Sequence, residues 1–284
     1  MDEIIDKKIG IIGYGSMGKM IFSKFMESKI IPESGLFISN RTFEKIMDLK
    51  SIYPLLNVCK NNTDTAKNAD ILFICVKPIE IKTVLLEIFE KIKDKCHIVS
   101  LNGSVLFRQI EQICINKKIS KVIPSVTAEI NQSLTLICHN AHVNNNDKNV
   151  LKTLLECFGT IIEIPEIEMG MGSELTSCMP GFIGAIFKVI TDEAEKHTSM
   201  HKKDIINMVI KTVYGTGKLL LEREMTFEQL ISRVATKGGI TEEGTKIIET
   251  KMPKMVNELF EKTLEKRKET TENAQKSFDW NAGV

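Results

Sequence analysis

The sequence lacks an excess of charge of either sign, and it lacks any long uncharged apolar run. The 38 Lys and Arg residues nearly balance the 37 Asp and Glu residues, so no basic field indicates nucleic-acid binding. A membrane-spanning helix needs about 18 or more apolar residues in a row, so we expect no membrane partner. Residues 1–6 are acidic where a secretory signal would be basic, which predicts a cytoplasmic protein.

Closely spaced cysteine pairs are also missing. The 7 cysteines form no Cys-x-x-Cys pair, and several lie in apolar segments, so we expect reduced and mostly buried thiols. Two histidine pairs, His139 with His142 and His197 with His201, have no third ligand at motif spacing. We therefore expect surface histidines and no metal site.

Three glycines follow a short apolar segment near the start of the sequence, and an amphipathic segment comes after them. In a strand-turn-helix unit, Gly13 allows the tight turn, Gly15 lets the backbone approach a pyrophosphate, and Gly18 lets helix and strand pack closely. A purely structural glycine turn is the alternative. The pattern predicts a dinucleotide site formed by Gly13, Tyr14, Gly15, Ser16, Met17 and Gly18.

The residues after the second predicted strand bear on the choice of cofactor. An NAD site usually has Asp or Glu at this point to bind the ribose 2′-hydroxyl, but this sequence has Asn40, Arg41 and Thr42. Because an arginine can pair with a 2′-phosphate, the segment favours NADPH over NADH, which remains possible. Alternatively, Arg41 is a solvated loop charge next to a helix N-cap at Thr42.

Apolar strand patterns alternate with helical segments up to about residue 165, which is typical of a parallel sheet covered on both faces. The candidate strands after the first lie at residues 36–39, 55–59, 71–76, 97–100, 121–123, 134–138 and 161–164. We predict an α/β fold in which residues 1–165 form a Rossmann-type, doubly wound sheet domain. Residues 166–284 are predicted to form an all-helical substrate and dimerisation domain.

The helical half contains a helix, around residues 182–190, that is apolar on nearly every side. One small helical domain would hardly bury it, so we expect two chains to pack these halves together as a homodimer, although burial within one chain is an alternative. Residues 268–284 have little apolar periodicity apart from Phe278 and Trp280 and are expected to fray. The basic run at residues 266–268 is interpreted as a solvated helix end.

Two further strand ends are expected to face the cofactor, because ligands of such sheets bind at the carboxyl ends of the strands. The first contains Val76, Lys77 and Pro78, where Lys77 could face the nicotinamide. The second contains Asn102 and Gly103, whose small size allows close backbone approach. Each is equally well interpreted as an ordinary strand-to-helix turn.

A glycine-containing loop interrupts the helical pattern at residues 235–243. Its backbone N–H groups, around Gly238 and Gly239, could bind a small carboxylate. Thr241 stands where a helix N-cap belongs, so a structural turn is an equally good interpretation.

Taken in order, the glycine turn, residues 70–78 ending in Val-Lys-Pro, residues 175–182 and the Gly-Gly-Ile-Thr loop resemble pyrroline-5-carboxylate reductases over nearly the whole chain. The resemblance implies a dimeric enzyme of proline biosynthesis, sometimes assembled into higher oligomers of dimers, which reduces a cyclic imine acid with NADPH or NADH. It assigns Asn62 to the cofactor, together with the residues named above. It implies that the Thr241 hydroxyl meets the substrate nitrogen and that Glu224 is the acidic residue of the helical domain.

The substrate site implied by the resemblance consists of Thr236, Gly238, Gly239, Ile240 and Thr241, with Thr236 replacing the family serine. Lys77, Glu224 and Thr241 are the candidate catalytic residues. Met179, Lys237 and Ile240 depart from the family pattern and resemble the late-competence ComER branch. That branch supplies an alternative, a nucleotide-binding regulatory protein with altered or no reductase activity. A hydroxyacid dehydrogenase using Lys188 is a third interpretation.

Overall fold

The computed structural model of the chain describes residues 6–278, and within them eight strands form one sheet. The strands are β1 (Ile9–Ile12), β2 (Leu36–Ser39), β3 (Asn57–Val58), β4 (Ile71–Ile74), β5 (His97–Ser100), β6 (Lys118–Ile123), β7 (Ser133–His139) and β8 (Gly159–Glu163). Their order across the sheet is β3-β2-β1-β4-β5-β6-β7-β8. The strand order therefore reverses at β1, which pairs with both β2 and β4.

The α-helices of the described residues lie between these strands and after them along the chain. They are α1 (Ser16–Ser28), α2 (Glu44–Met47), α3 (Leu49–Ile52), α4 (Asn62–Asn68), α5 (Ile81–Ile88), α6 (Phe107–Glu111), α7 (Asn145–Leu155), α8 (Met169–Ser173), α9 (Met179–Ala194), α10 (Lys202–Glu222), α11 (Phe227–Val234) and α12 (Ile240–Phe278). None of the described helices is both long enough and apolar enough to cross a membrane.

The sheet separates two hydrophobic clusters, because successive side chains of a strand point to opposite faces. On β4, Phe73 belongs to one cluster, and Leu72 and Ile74 belong to the other. The Phe25 ring of α1 lies 5.5 Å from the Phe73 ring and stacks on Phe158 at 5.7 Å. Burial of apolar side chains on both faces confirms the predicted Rossmann-type fold.

One strand departs from the parallel sheet predicted from the sequence: β7 runs antiparallel to β6. Residues 124–132 join the two strands, and this connection is shorter than the roughly 12 residues that a parallel crossover needs. Both strands also begin before their predicted starts, at polar residues. Ser120 and Ser133 are nevertheless buried, since their hydroxyl groups form hydrogen bonds to other side chains.

The chain divides into two compact units at positions that differ from the predicted boundary after residue 165. The sheet unit extends to Cys178 and includes the described residues from Leu264 to Phe278, whereas the helical unit is Met179–Thr263. Residues between β8 and Cys178 pack on the sheet, as α8 and the π-helical segment Glu174–Cys178 both contact β7. The domain limits at 165 and 166 remain a prediction.

The helical unit buries few of its own apolar side chains. Thr191 is the buried residue of α9, while Val189 and Ile190 are exposed, so this chain does not surround the apolar helix by itself. In α10 only Ile205 is buried. The alternative, that a single chain buries the apolar helix α9, is therefore wrong for the described residues.

The end of α12 also differs from the expectation of a frayed tail. Residues 268–278 are helical, and Ala274 and Phe278 are buried in one of the sheet unit's hydrophobic clusters. Within the predicted solvated run, Arg267 instead forms an ion pair with the buried Glu174, at 2.7 Å. Trp280 lies outside the described residues.

Candidate functional site

A cavity of about 800 Å³ opens at the carboxyl ends of β1, β2 and β4, where the strand order reverses. Ligands of doubly wound sheets bind at this kind of position. Nine of the residues predicted to contact a cofactor line it together: Gly13, Tyr14, Gly15, Asn40, Arg41, Thr42, Asn62, Val76 and Lys77. Other predicted cofactor residues stand outside its lining, namely Ser16, Met17, Gly18, Pro78, Asn102 and Gly103.

The three glycines of the turn satisfy three different requirements. Gly13 has a φ of 98°, a left-handed conformation that side chains disfavour, and a Cβ there would lie 2.7 Å from the Cys75 carbonyl oxygen. A Cβ on Gly18 would overlap the Gly13 carbonyl oxygen. A Cβ on Gly15 would meet nothing within 4 Å, so space for a ligand lies beside this backbone.

The beginning of α1 suits an anionic group such as a pyrophosphate. Gly15 is the N-cap, and in this part of the described chain no side chain caps the helix and no acidic residue lies in its first turn. Gly15 and Ser16 are exposed. The positive end of the helix dipole therefore lies at the edge of the cavity, where Gly15 lines it, and no acidic side chain of the first turn neutralises that end.

Asn40 fixes the glycine turn to the end of β2. Its Oδ1 accepts a hydrogen bond from the Tyr14 N–H at 2.9 Å, and its Nδ2 donates to the Thr42 carbonyl oxygen at 2.8 Å. The Gly13 N–H also donates to the Ser39 carbonyl oxygen, at 2.9 Å. Asn40 thus shapes the cavity wall through its amide group.

Asn62, which only the family resemblance identified, has a similar bracing position. Its Oδ1 accepts from the Ser39 hydroxyl at 2.9 Å, and its Nδ2 donates to the Glu87 carboxylate at 2.7 Å. The preceding Asn61 caps α4 by accepting from the Asp64 N–H. The side chain of Asn62 therefore ties the second strand to the wall that carries Glu87.

The cavity contains a charged contact that the sequence did not reveal. Arg41 Nη1 lies 2.5 Å from Glu80 Oε1, and the other Glu80 oxygen accepts from the Lys77 N–H at 3.3 Å. Glu80 stands at the third position of the short turn Pro78–Glu80, where a carboxylate commonly accepts from the N-cap backbone, and this local signal could have identified it. Lys45 and Lys60 line the same cavity and add to its positive charge.

The turn at the end of β5 is held by buried polar groups. The Asn102 side chain accepts from the N–H groups of Ser104 and Val105, at 2.8 and 3.1 Å. The fully buried Lys121 donates to the Gly103 carbonyl oxygen at 3.1 Å and to the Glu166 carboxylate at 3.0 Å. These hydrogen bonds fix the backbone at Asn102 and Gly103, whose role toward a cofactor stays a prediction.

Arg267 lies beside the same turn, since a Cβ on Gly103 would come within 3.7 Å of its Nη1. Two of its nitrogens donate to one oxygen of Glu174, at 3.1 and 2.7 Å, while the second Glu174 oxygen is buried without a hydrogen-bond partner in the structure. Neither residue was predicted as part of a site. No local pattern joins them, because they are 93 positions apart.

The predicted substrate loop lies in the helical unit. Helix α12 begins at Ile240, so Thr241 is an exposed residue of its first turn and not the N-cap that its sequence position indicated. The Gly239 N–H donates to the Thr236 carbonyl oxygen at 2.8 Å, and the Gly238 N–H donates to the Glu242 carboxylate at 2.5 Å. The five predicted substrate residues are thus gathered in one turn.

The third predicted catalytic position, Glu224, follows α10 in an exposed turn. Its φ of 48° is left-handed, which matches a helix C-terminal turn.

His139, which was expected at the surface, and His97, for which nothing was predicted, form a buried chain of hydrogen bonds with Ser120. His97 Nε2 and His139 Nδ1 each lie 2.6 Å from the Ser120 hydroxyl. Burial lowers the pKa of both imidazoles to about 4, so both are neutral at pH 7. The surface expectation is wrong for His139, whose side chain is buried.

All seven cysteines are free, and three of them are fully buried. Burial raises the pKa of the Cys96 and Cys114 thiols to about 12, so these groups stay protonated and unreactive. Within residues 6–278, no three His, Cys, Asp or Glu side chains come together as metal ligands.

Comparison with known proteins gives matches to both halves of the chain. Residues 166–270 match the family described as pyrroline-5-carboxylate reductase dimerisation, and residues 8–103 match the family described as NADP oxidoreductase, coenzyme F420-dependent. Pyrroline-5-carboxylate reductase 3 of Bacillus subtilis is 37% identical over 272 residues, which cover 95% of this chain and 99% of that protein. ComE operon protein 4 of the same organism is 30% identical, with 95% and 99% coverage.

Solved structures show the same fold. The pyrroline carboxylate reductase of Plasmodium falciparum, solved with NADP bound, superposes with a TM-score of 0.83 at 23% identity, covering 94% of this chain and 99% of that one. The pyrroline-5-carboxylate reductase of Coxiella burnetii gives a TM-score of 0.81 at 24% identity, with 95% and 98% coverage.

Proposed function

The chain belongs to the pyrroline-5-carboxylate reductase family of oxidoreductases, and we propose that it reduces 1-pyrroline-5-carboxylate to L-proline with NADPH in proline biosynthesis. The observation that carries the proposal is the cavity at the reversal of strand order, lined by an uncapped glycine turn and by Arg41. A relative named for this activity matches 95% of the chain.

The cofactor class is NAD(P)H, and the residues present fit it. The open space beside Gly15 and the first N–H groups of α1 suit a pyrophosphate, and Arg41 suits a 2′-phosphate. When bound, a reduced nicotinamide supplies the hydride for the carbon–nitrogen double bond. We place Lys77 on the wall that faces the ring, with Val76 and Pro78 shaping the strand exit and Asn102 and Gly103 allowing close approach.

The substrate end is assigned to the loop of the helical unit. We propose that the Thr241 hydroxyl donates a hydrogen bond to the imine nitrogen, which makes the imine carbon more electrophilic without a strong base. Backbone donors from Gly238 to Thr241, together with Thr236, would orient the carboxylate of the imine acid. Glu224 is assigned to the same region of the site.

A homodimer follows from the apolar surface of the helical unit. Val189, Ile190 and Ile210 are exposed on a single chain, and this region matches a dimerisation family. We propose that a second copy covers these side chains, with dimers able to assemble further.

Loss of NADPH absorbance on addition of pyrroline-5-carboxylate tests this function. We expect turnover by the parent protein and a loss of roughly 100-fold or more in Thr241→Ala, because a hydrogen bond to the reacting nitrogen is removed. Gly15→Ala serves as a matched variant, since its methyl group has space in the structure but would intrude on a bound pyrophosphate. It should keep the parental melting temperature and bind NADPH weakly.

A second candidate function, that of a nucleotide-binding regulatory protein, is based on the similarity to ComE operon protein 4 and on the departures at Met179, Lys237 and Ile240. Tight NADPH binding without turnover would support it against reduction. Absence of binding to either nucleotide would contradict both.

A further inference from the structure

Two side chains of opposite charge meet across the mouth of the cofactor cavity. Glu80 contacts Arg41 through one carboxylate oxygen and the Lys77 N–H through the other. It therefore joins the loop after β2 to the turn after β4. Arg41 is 86% exposed and Glu80 is 31% exposed, so a ligand can reach both groups.

The contact restores a carboxylate to a place where the local sequence has none. Nucleotide sites that bind NAD usually carry an acidic residue after the second strand, which accepts from the ribose 2′-hydroxyl. Here that segment supplies Arg41, and Glu80 supplies a carboxylate to the same cavity from the turn after β4, on the other side of β1. The cavity thus presents one group suited to a 2′-phosphate and one suited to a 2′-hydroxyl.

We propose that Glu80 is a specificity-determining residue that opposes Arg41 in the choice between NADPH and NADH. The inference rests on the nucleotide site of the proposed function. A 2′-phosphate that pairs with Arg41 competes with Glu80 for the guanidinium and lies near that carboxylate, which repels it. A 2′-hydroxyl leaves the ion pair intact and can donate to Glu80. The ion pair therefore reduces the ratio of NADPH affinity to NADH affinity, so that NADH can also serve as the cofactor.

The other charges of the cavity allow a matched control. Lys45, Lys60 and Lys77 line the same cavity, and their positive charges attract both nucleotides, since both are anions. Glu87 lines the wall too, but its contact is with the Asn62 amide and not with Arg41. Glu87→Gln removes the same charge from the same cavity and keeps an oxygen that can accept from Asn62.

Calorimetric titration of the purified, full-length protein with NADPH and with NADH tests the proposal. We expect Glu80→Gln to tighten NADPH binding about tenfold and to leave NADH binding unchanged or a few-fold weaker, since one unit of repulsion near the phosphate is removed. Arg41→Ala should weaken NADPH far more than NADH. Glu87→Gln should move the two affinities together, with their ratio unchanged.

Separate outcomes contradict the two proposals. If both nucleotides bind and Glu80→Gln leaves their affinity ratio at the parental value, Glu80 does not determine specificity and the proposed function still stands. An equal shift in Glu87→Gln would also overturn the inference, because net charge alone would explain it. If neither the parent nor any variant binds either nucleotide, the assignment of the nucleotide site is itself wrong. Melting curves of each variant establish that the protein remains folded.

Discussion

The sheet unit and the helical unit have similar apolar segments but cover them to different extents. The strands β1, β2, β4 and β5 have four residues each, and every one of these residues is buried. In the described helical unit, Met179–Thr263, only Thr191 and Ile205 are buried, although α9 is rich in apolar residues. Hydrophobic periodicity predicts a helix or strand and its apolar faces. It does not tell whether the residues that pack against an apolar face belong to the same chain or to another chain.

The largest test of this contrast is a charge on the uncovered surface. Ile210→Asp, at a side chain that is 54% exposed in one chain, should weaken dimerisation roughly 100-fold or more, because the carboxylate would be buried without a partner. Sedimentation velocity across a concentration series measures the change. Ile115→Asp, at a 68% exposed position of the sheet unit, is the control and should leave assembly unaltered. An intact dimer in Ile210→Asp would show that another surface joins the subunits.

A smaller effect is expected where the end of α12 joins the sheet unit. Arg267→Met leaves the Glu174 carboxylate, whose side chain is 2% exposed, without its ion-pair partner and should lower the free energy of unfolding by about 3–5 kcal/mol. Urea denaturation measures the loss. Replacing both partners, as in Glu174→Leu with Arg267→Met, should recover much of it.

The exposed neighbour Lys268 supplies the control for that experiment. Lys268→Met should change the free energy of unfolding by less than about 0.5 kcal/mol. Equal losses in Arg267→Met and Lys268→Met would mean that the pair does not stabilise the sheet unit and that the run is solvated.

The smallest expected effect is a pH dependence confined to the sheet unit. The folded-state pKa of His97 and His139 is about 4, below the ordinary 6.5, so the unfolded chain binds more protons between these values. The contribution of these two neutral histidines to the free energy of unfolding is therefore present above pH 6.5, and it is lost as the pH falls toward 4. We expect a decrease of about 1 kcal/mol from pH 7 to pH 6.

Thermal melting of variants at both pH values checks this dependence. His97→Gln keeps a donor or acceptor near the Ser120 hydroxyl but cannot gain the proton, so its pH dependence should be smaller than the parental one. His201→Gln, at an exposed position before α10, should melt like the parent at each pH. Equal pH dependence in the parent and in His97→Gln would contradict the assignment.

The sequence was most informative where one short segment determines the geometry. The turn at Gly13 needs a left-handed residue and the packing at Gly18 excludes a Cβ, so the glycine spacing alone predicted the cofactor wall. The bounds of β5 and the Rossmann-type fold also followed from local apolar patterns.

Interactions between distant segments could not be predicted in this way. The partner of Arg41 is 39 positions away and that of Arg267 is 93 away, and in neither case did the sequence indicate an acidic partner. The direction of β7 depends on the length of a connection, and the short segment between the two predicted strands already indicated it, although the prediction of a parallel sheet did not use it. Only the tertiary structure brings these groups together.

The amide of Gly238 is already occupied, since it donates to the carboxylate of Glu242 four residues later. A tethered anion competes at a high effective concentration with any free one. Binding of an external carboxylate to this turn is therefore an exchange of acceptors, whose free energy is the difference between two similar hydrogen bonds. If the turn holds the substrate carboxylate as proposed, the Glu242 carboxylate replaces that carboxylate when the acid leaves, and selectivity must come from contacts with the rest of the acid.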